Sequence, residues 1–134
     1  GGGGASRSAA HALRLAGAEV TIIGREELDA ASEAWDLLVN ATPVGTAPDA
    51  GASVMAGRPI RARLVYDLVY NPRETRLLRE ARAAGARTIG GLDMLVAQAC
   101  RQFEFWFGRP APADVVESAP SVGLNPSACR SPGR

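Results

Sequence analysis

Four glycines open the chain, and Ala5, Ser6 and Arg7 follow them. Gly1 and Gly3 occupy the first two glycine positions of a dinucleotide-binding fingerprint, and Ser6 stands where the third glycine or alanine would be. Such glycines let backbone amides approach a pyrophosphate closely, and the amino terminus of the next helix stabilises the negative charge. This opening therefore predicts a phosphate site. A flexible glycine-rich terminus is the alternative.

A second set of polar side chains follows the apolar run Leu37, Leu38 and Val39. Asn40 and Thr42 come directly after this predicted strand, and Pro43 fixes the backbone behind them. Donors and acceptors at the carboxyl end of a strand are typical of a ligand site in α/β proteins. A tight turn whose polar side chains satisfy its own backbone is the alternative interpretation.

Tyr70 and Gln98 are two further candidates for ligand contact. Tyr70 follows a predicted buried strand, and Gln98 places an amide on an otherwise apolar face of a predicted helix. A buried amide needs a hydrogen-bond partner, which is either a ligand or the protein backbone. Both residues are expected to face one crevice.

The elements that position these residues alternate between strand and helix. Apolar and β-branched runs predict strands at residues 20–23, 37–41, 64–68 and 87–89. Helical spacing predicts helices at residues 5–16, from the Asn71-Pro72 start signal to Gly85, and at residues 92–108. Strands joined by crossover helices favour an α/β fold with a Rossmann-like, doubly wound parallel sheet, whose loops after the strands share one edge.

Two strands of a complete doubly wound sheet are expected to be missing. The fingerprint should follow a strand, yet Gly1 is the first residue. Too few residues separate Arg25 from Asp36 to hold a helix, an outer strand and a second connection. We therefore expect a compact, truncated version of the fold that belongs to a longer polypeptide.

Composition narrows the classes of partner. The 15 basic residues are all arginine and nearly balance the 14 acidic residues, so nothing indicates nucleic acid or an anionic membrane as a partner. No apolar run approaches the ~20 residues that span a bilayer. Cys100 and Cys129 have neither metal-ligand spacing nor the density of a disulfide scaffold, which favours a reduced, cytoplasmic protein without a metal site.

Four segments together resemble one enzyme family. They are the opening residues 1–7, residues 40–45 (Asn-Ala-Thr-Pro-Val-Gly), residues 66–72 (Tyr-Asp-Leu-Val-Tyr-Asn-Pro) and residues 90–99 (Gly-Gly-Leu-Asp-Met-Leu-Val-Ala-Gln-Ala). In this order they closely resemble the nucleotide-binding half and closing helix of shikimate dehydrogenase. The resemblance extends from Gly1 to about Pro112.

The resemblance implies an oxidoreductase that reduces 3-dehydroshikimate to shikimate with NADP, or with NAD, in the biosynthesis of chorismate and the aromatic amino acids. It also implies a role for each candidate residue. The implied contacts are Gly1, Gly3, Gly4, Ala5, Ser6 and Arg7 with the pyrophosphate, Arg25 with the adenosine, Asn40, Ala41 and Thr42 with the ribose, Leu68, Gly91 and Met94 with the nicotinamide, and Tyr70 and Gln98 with the substrate.

No residue of this chain is expected to be catalytic. By resemblance, a lysine and an aspartate in an amino-terminal substrate domain move the hydroxyl proton, and this chain contains no lysine. We expect that missing domain to be the chief partner, and the chain alone to be inactive. A homodimer is compatible with this expectation.

Cofactor preference is expected to be weak. The family usually has Asn-Arg-Thr here, whereas this chain has Gly24-Arg25-Glu26. Arg25 favours a 2′-phosphate, but a carboxylate at a strand end repels one and suits the free hydroxyl of NAD. The alternative is that Glu26, Glu27 and Asp29 only favour the dipole of a helix start.

Residues 109–134 differ in composition from the rest. They hold five of the nine prolines, so residues 1–108 are expected to form the partial nucleotide-binding domain with its closing helix, and residues 109–134 a disordered tail. Two other functions stay open: a quinate/shikimate dehydrogenase that prefers NAD, and a non-catalytic nucleotide-binding module.

Overall fold

The computed structural model describes residues 2–112 of the 134-residue chain. The described residues divide into two compact units, one up to Gly90 and one from Gly91. Gly1 and most of the predicted tail lie outside the described residues. The first unit contains the sheet, and the described part of the second unit is built on one long helix.

Three parallel strands form the sheet of the first unit. They are β1 (Leu37–Asn40), β2 (Leu64–Asp67) and β3 (Arg87–Ile89), in the order β1-β2-β3. Leu37 pairs with Leu64, and Leu64 with Arg87, so the carboxyl ends of β1 and β2 lie side by side. The prediction of a truncated, Rossmann-like parallel α/β fold is confirmed.

Helices precede and connect the strands. Helix α1 (Gly4–Leu15) and a 3₁₀ helix (Arg25–Ser32) come before β1, and α2 (Arg76–Ala83) connects β2 to β3. Gly85 has a φ of +83°, the left-handed conformation that ends a helix without strain in glycine, so its predicted role as a stop is confirmed. No strand forms between Arg25 and β1, where a short connection was predicted.

The predicted strand at residues 20–23 is wrong. These residues have no helix or strand assignment, and the sheet of the described residues consists of β1, β2 and β3 alone. Apolar, β-branched sequence makes a strand only when a neighbouring strand provides ladder hydrogen bonds. Ile23 packs against the hydrophobic core, whereas Ile22 is 46% exposed.

The predicted helix start at Asn71-Pro72 is also wrong. Thr75 is the N-cap of α2, and its hydroxyl accepts a hydrogen bond from the amide of Leu78 at 3.3 Å. A threonine hydroxyl satisfies one of the free amides of the first turn, as the asparagine was expected to do. The apolar positions Leu77, Leu78 and Ala81 are buried, as their helical spacing indicates.

The core of the first unit includes residues of the sheet and of α2. Its fully buried side chains include Met55, Val65 and Leu77, and Trp35 packs against them while its indole donates to the carbonyl of Ala30 at 3.1 Å. Trp35 therefore has a packing role. Met55 comes from a segment that has no recognisable sequence pattern.

Helix α3 (Gly91–Phe107) forms the described part of the second unit. Gly91 and Cys100 are buried, and the rings of Phe103 and Phe107 lie 4.6 Å apart between centroids. The end of the helix is strongly exposed, with Trp106 at 69%. Within this unit, α3 therefore presents an apolar surface near its carboxyl end.

No helix among residues 2–112 combines the length and the apolar character needed to cross a bilayer. The same stretch contains no group of three or more His, Cys, Asp or Glu side chains that could hold a metal ion.

Candidate functional site

Asn40 and Asp67 form the centre of the candidate site. They are the last residues of β1 and β2 and pair in register, because the parallel sheet ends at the same level on both strands. The amide Nδ2 of Asn40 donates to Oδ1 of Asp67 at 2.9 Å, and the two residues are only 4% and 0% exposed. A buried side-chain bond thus connects the two strand ends.

Asn40 also holds the loop that follows β1. Its Oδ1 accepts hydrogen bonds from the backbone amide of Thr42 at 3.0 Å and from the Thr42 hydroxyl at 2.7 Å. Its Nδ2 donates a second bond to the carbonyl of Val44 at 3.3 Å, and the Val44 amide donates to Thr42 Oγ1 at 3.3 Å. Residues 40–44 are therefore a turn closed by their own polar side chains.

Asp67 extends the same network to α2. Its Oδ2 accepts a hydrogen bond from the Thr75 hydroxyl at 2.6 Å, and its Oδ1 accepts from the amide of Val69 at 3.1 Å. Together with the bond from Asn40, three donors surround this fully buried carboxylate. Hydrogen bonds of this number offset much of the cost of removing a carboxylate from water.

Backbone contacts connect the loops after β1 and β2. The Ala47 amide donates to the carbonyl of Asn71 at 3.0 Å. Gly45 has a φ of +94°, and a Cβ there would lie 3.2 Å from the carbonyl oxygen of Ala52. Only glycine fits this position without strain. The loop also borders a groove of about 400 Å³ that lies between Pro43 and Ala52.

The predicted phosphate site lies at the start of α1. Gly3 is the N-cap, and no side chain caps this end of the helix. Gly2, Gly3 and Gly4 are exposed, and a Cβ on any of them would meet no atom within 4 Å among the described residues. Ala5 and Arg7 are exposed and Ser6 is buried, whereas Gly1 lies outside the described residues. The first-turn amides are accessible to an anion.

The predicted adenosine contact, Arg25, is the first residue of the 3₁₀ helix and is exposed. Two of the three nearby carboxylates have other partners. Glu27 Oε2 accepts a hydrogen bond from the Gly24 amide at 3.2 Å, and Asp29 forms an ion pair with Arg58 at 2.8 Å. Glu27 therefore has the helix-start role that was the alternative interpretation.

Other predicted contacts lie at the same edge of the sheet. Ala41 and Thr42 are half-buried in the loop after β1, and Leu68 is half-buried, with its amide donating to the Asn40 carbonyl at 3.0 Å. Tyr70 is 54% exposed in the loop after β2. The first unit thus brings together the predicted residues from both strand ends.

The remaining predicted residues belong to the second unit. Gly91 is buried, Met94 half-buried and Gln98 exposed, and their spacing places them on one face of α3. That they face the same crevice as Tyr70 stays a prediction.

Sequence reasoning missed Asp67 and Thr75. The signal for Asp67 was a carboxylate directly after the apolar residues of β2, because a charge buried there needs several donors. Thr75 precedes the first apolar residues of α2 at the position of an N-cap. Each residue was identifiable alone, but their contact crosses the irregular loop between β2 and α2, which local pattern does not describe.

Sequence comparison with known proteins gives relatives that are named shikimate dehydrogenases. Residues 91–119 match the shikimate 5'-dehydrogenase C-terminal domain family. The chain is 39% identical over 140 residues to the shikimate dehydrogenase (NADP(+)) of Methanocella arvoryzae, covering 87% of this chain and 52% of that protein. It is 46% identical over 109 residues to the shikimate dehydrogenase (NADP(+)) of Symbiobacterium thermophilum, covering 80% and 37%.

Solved structures agree with these sequence relatives. Shikimate 5-dehydrogenase from Thermus thermophilus, crystallised in complex with NADP(H) and shikimate, has a TM-score of 0.77 and 42% sequence identity. The match covers 89% of this chain and 52% of that one, so the chain spans about half the length of such relatives or less. The sequence and the fold of this chain therefore match the carboxyl-terminal half of the shikimate dehydrogenase family.

Proposed function

We propose that this chain supplies the NADP-binding part of a shikimate dehydrogenase, which reduces 3-dehydroshikimate to shikimate in the biosynthesis of chorismate and the aromatic amino acids. The observation that carries the proposal is the match to the Thermus thermophilus enzyme, which was crystallised with NADP(H) and shikimate and aligns with 89% of this chain. The geometry of both strand ends supports it.

The start of α1 fits the pyrophosphate of a dinucleotide. Three glycines leave open space around the backbone, and the amides of the first helical turn have no capping side chain. An anion placed there accepts hydrogen bonds from these amides and interacts favourably with the helix dipole. Gly1, Gly3, Gly4, Ala5, Ser6 and Arg7 would form this part of the site.

The other predicted residues would contact the remaining parts of the cofactor and the substrate. Arg25 would lie beside the adenosine, and the loop of Asn40, Ala41 and Thr42 beside the ribose. The nicotinamide, when bound, supplies or accepts the hydride. Leu68, Gly91 and Met94 would line its position, and Tyr70 and Gln98 would contact shikimate. These residues bind and orient, and none of them moves a proton.

The proton-transfer groups would come from an amino-terminal substrate domain of a cytoplasmic enzyme. This chain contains no lysine, so a lysine that carries the hydroxyl proton belongs elsewhere. The chain alone would bind cofactor without turnover. Association with such a domain, or of two such enzymes in a homodimer, is part of the same proposal.

A second candidate, a quinate/shikimate dehydrogenase that prefers NAD, is favoured by Glu26. This carboxylate is exposed beside Arg25, and no hydrogen bond or ion pair engages it among the described residues. A free carboxylate repels a 2′-phosphate and accepts a hydrogen bond from a ribose hydroxyl. The preference between NADP and NAD therefore depends on Arg25 and Glu26.

Calorimetric titration of the 134-residue chain with NADP+ and NAD+ tests the proposal. We expect NADP+ to bind and Gly3→Ala to weaken binding, because a methyl group would enter the space that a pyrophosphate needs. The mutation should change stability little, since its Cβ meets no neighbour in the structure. Gly51→Ala is the matched control, since Gly51 is equally open and lies outside the site.

Two results would contradict the proposal. One is the absence of binding to either nucleotide by a folded chain, as judged by circular dichroism. The other is equal affinity of the parent and Gly3→Ala for NADP+, which would place the pyrophosphate away from α1.

A further inference from the structure

Asn40 has no hydrogen-bonding capacity left for a ligand. Its two amide protons go to Asp67 Oδ1 and the Val44 carbonyl, and its oxygen accepts both bonds from Thr42. It is also 4% exposed. Its effect on a bound ligand must therefore pass through the residues that it holds.

Asp67, the Thr42 amide and the Val44 carbonyl together fix which way the Asn40 amide faces. A carboxylate oxygen accepts hydrogen bonds and cannot donate them, so the Asn40 atom 2.9 Å from it must be the nitrogen. The Asn40 oxygen must then face Thr42. The buried carboxylate on β2 thus holds Asn40 in the same orientation that the backbone of the loop after β1 requires.

The Thr42 hydroxyl proton also has a fixed position. Two oxygens 2.7 Å apart need a proton between them, and the amide oxygen of Asn40 has none, so Thr42 is the donor. Its oxygen already accepts one bond from the Val44 amide. A single lone pair remains on this oxygen. Toward a ligand, the Thr42 hydroxyl can therefore only accept a hydrogen bond.

We propose that Asp67 is a positioning residue that anchors Asn40 in the orientation in which the Thr42 hydroxyl serves as a hydrogen-bond acceptor for a donor group of the bound nucleotide. A hydroxyl of the nicotinamide ribose or the carboxamide NH₂ of the nicotinamide provides such a donor, whereas a phosphate oxygen does not. This inference rests on the proposed function for the identity of the ligand. The internal polarity of the network does not depend on it.

Swapping the side-chain types of Asn40 and Asp67 tests the network without a ligand. Asn40→Asp places two carboxylates face to face, and should increase hydrogen exchange at the Thr42 and Val44 amides by about tenfold or more, as loss of a buried hydrogen bond does. The double variant Asn40→Asp/Asp67→Asn restores a donor opposite residue 40 and keeps an acceptor facing Thr42, but it leaves the Val44 carbonyl without a donor and the Val69 amide without an acceptor. We expect it to recover part of the protection at the Thr42 amide.

Ser53→Ala is the control for general loss of stability. It removes a 2.5 Å hydrogen bond to Glu80 in the same unit, outside the network. Protection of the Thr42 and Val44 amides relative to the rest of the unit should not change. If the double variant is no better than Asn40→Asp, or if Asn40→Asp exchanges like the parent, the proposed polarity is wrong.

The role toward the nucleotide is tested with Thr42→Val, a change in a half-buried loop residue that keeps its shape. NADP+ should bind about tenfold more weakly, the equivalent of one buried hydrogen bond. Adenosine 2′,5′-bisphosphate, which lacks the nicotinamide riboside and one phosphate of the pyrophosphate, should bind both proteins equally. An unchanged affinity for NADP+ in Thr42→Val would overturn the acceptor role.

The proposed function and this inference fail in distinguishable ways. If the parent chain binds neither probe but the side-chain exchange restores protection, the nucleotide-binding function is wrong and the positioning by Asp67 holds. If NADP+ binds and the double variant does not restore protection, the nucleotide-binding function holds and the positioning by Asp67 is wrong. Weakened binding of both probes to Thr42→Val would indicate general disruption and contradict the specific role.

Discussion

Two segments that would contact opposite ends of a nucleotide are built in different ways. The loop after β1, residues 40–46, is held by the buried side chains of Asn40 and Asp67. The 3₁₀ helix Arg25–Ser32 is held by a cap from Glu27 and by the ion pair of Asp29 with Arg58, in which the aspartate side chain is 93% exposed. The first segment is held by contacts that are shielded from water, whereas the second depends on contacts that water weakens.

The difference means that the two segments affect different properties, the stability of the site in one case and the recognition of the adenosine in the other. Leaving a buried donor or acceptor unpaired costs about 1–3 kcal/mol, whereas an exposed ion pair contributes about 0–1 kcal/mol. Substitutions in the 3₁₀ helix can therefore alter how the adenosine is recognised without unfolding the domain. Substitutions in the Asn40–Asp67 network affect the fold and the site together.

The largest effect is expected for Asp67→Ala. It leaves three buried donors without an acceptor, from Asn40, Val69 and Thr75, and should lower the free energy of unfolding by about 3–5 kcal/mol. Asp36→Ala is the matched control, because that aspartate is 91% exposed and its ion pair with Arg63 is long, at 3.4 Å. Urea denaturation measures both. Equal losses would remove the contrast between buried and exposed polar groups.

Thr75→Ala should cost about 2 kcal/mol. The change removes the hydroxyl that caps α2 at the Leu78 amide and that donates to Asp67. Thr75→Ser keeps the hydroxyl and should recover most of the loss. A serine variant as unstable as the alanine variant would show that the methyl group, not the hydroxyl, matters at this position.

Gly45→Ala should cost about 1–2 kcal/mol, since it combines an unfavourable φ of +94° with a 3.2 Å approach to the Ala52 carbonyl. Gly57→Ala isolates the backbone term, because Gly57 has a φ of +74° and no neighbour within 4 Å. The difference between the two unfolding free energies measures the close contact. If the two variants are equally stable, the loop can yield to admit a methyl group.

The smallest effect is expected for Glu26→Thr. Stability should change by less than about 0.5 kcal/mol, as for other exposed positions. Removal of one carboxylate beside Arg25 should raise the preference for NADP+ over NAD+ by less than about tenfold, the equivalent of an exposed charge pair. Titration with both nucleotides gives the ratio, and Glu33→Thr, an exposed change beyond the 3₁₀ helix, is the control. An unchanged ratio would place Glu26 away from the adenosine.

Local pattern was sufficient to predict most elements of the sheet. Three of the four predicted strands form, because their apolar runs pair with one another, and Gly85 ends α2 as its position indicates. Residues 20–23 have an equally apolar sequence but no place in the sheet. Whether a run becomes a strand depends on its neighbour, which periodicity does not report.

The sequence was sufficient to predict the loops of the site but not all of the contacts that hold them. Asn40 and Thr42 were identified as polar residues at a strand end, and the alternative of a self-satisfied turn describes their hydrogen bonds well. Asp67 and Thr75 were missed because their significance arises from a contact between β2 and α2. Similarly, Arg58 reaches Asp29 from a segment without a recognisable pattern, and it changes the charge near Arg25.

The two tryptophans of the chain give each unit its own optical reporter. Trp35 is partly buried against the core of the first unit with its indole hydrogen-bonded, whereas Trp106 in α3 is 69% exposed. Unfolding of the sheet should therefore shift the fluorescence of Trp35 to longer wavelength, while the emission of Trp106 starts close to that of an indole in water. A Trp106→Phe variant would give a single-tryptophan protein whose emission reports only on the unit that carries the Asn40–Asp67 network.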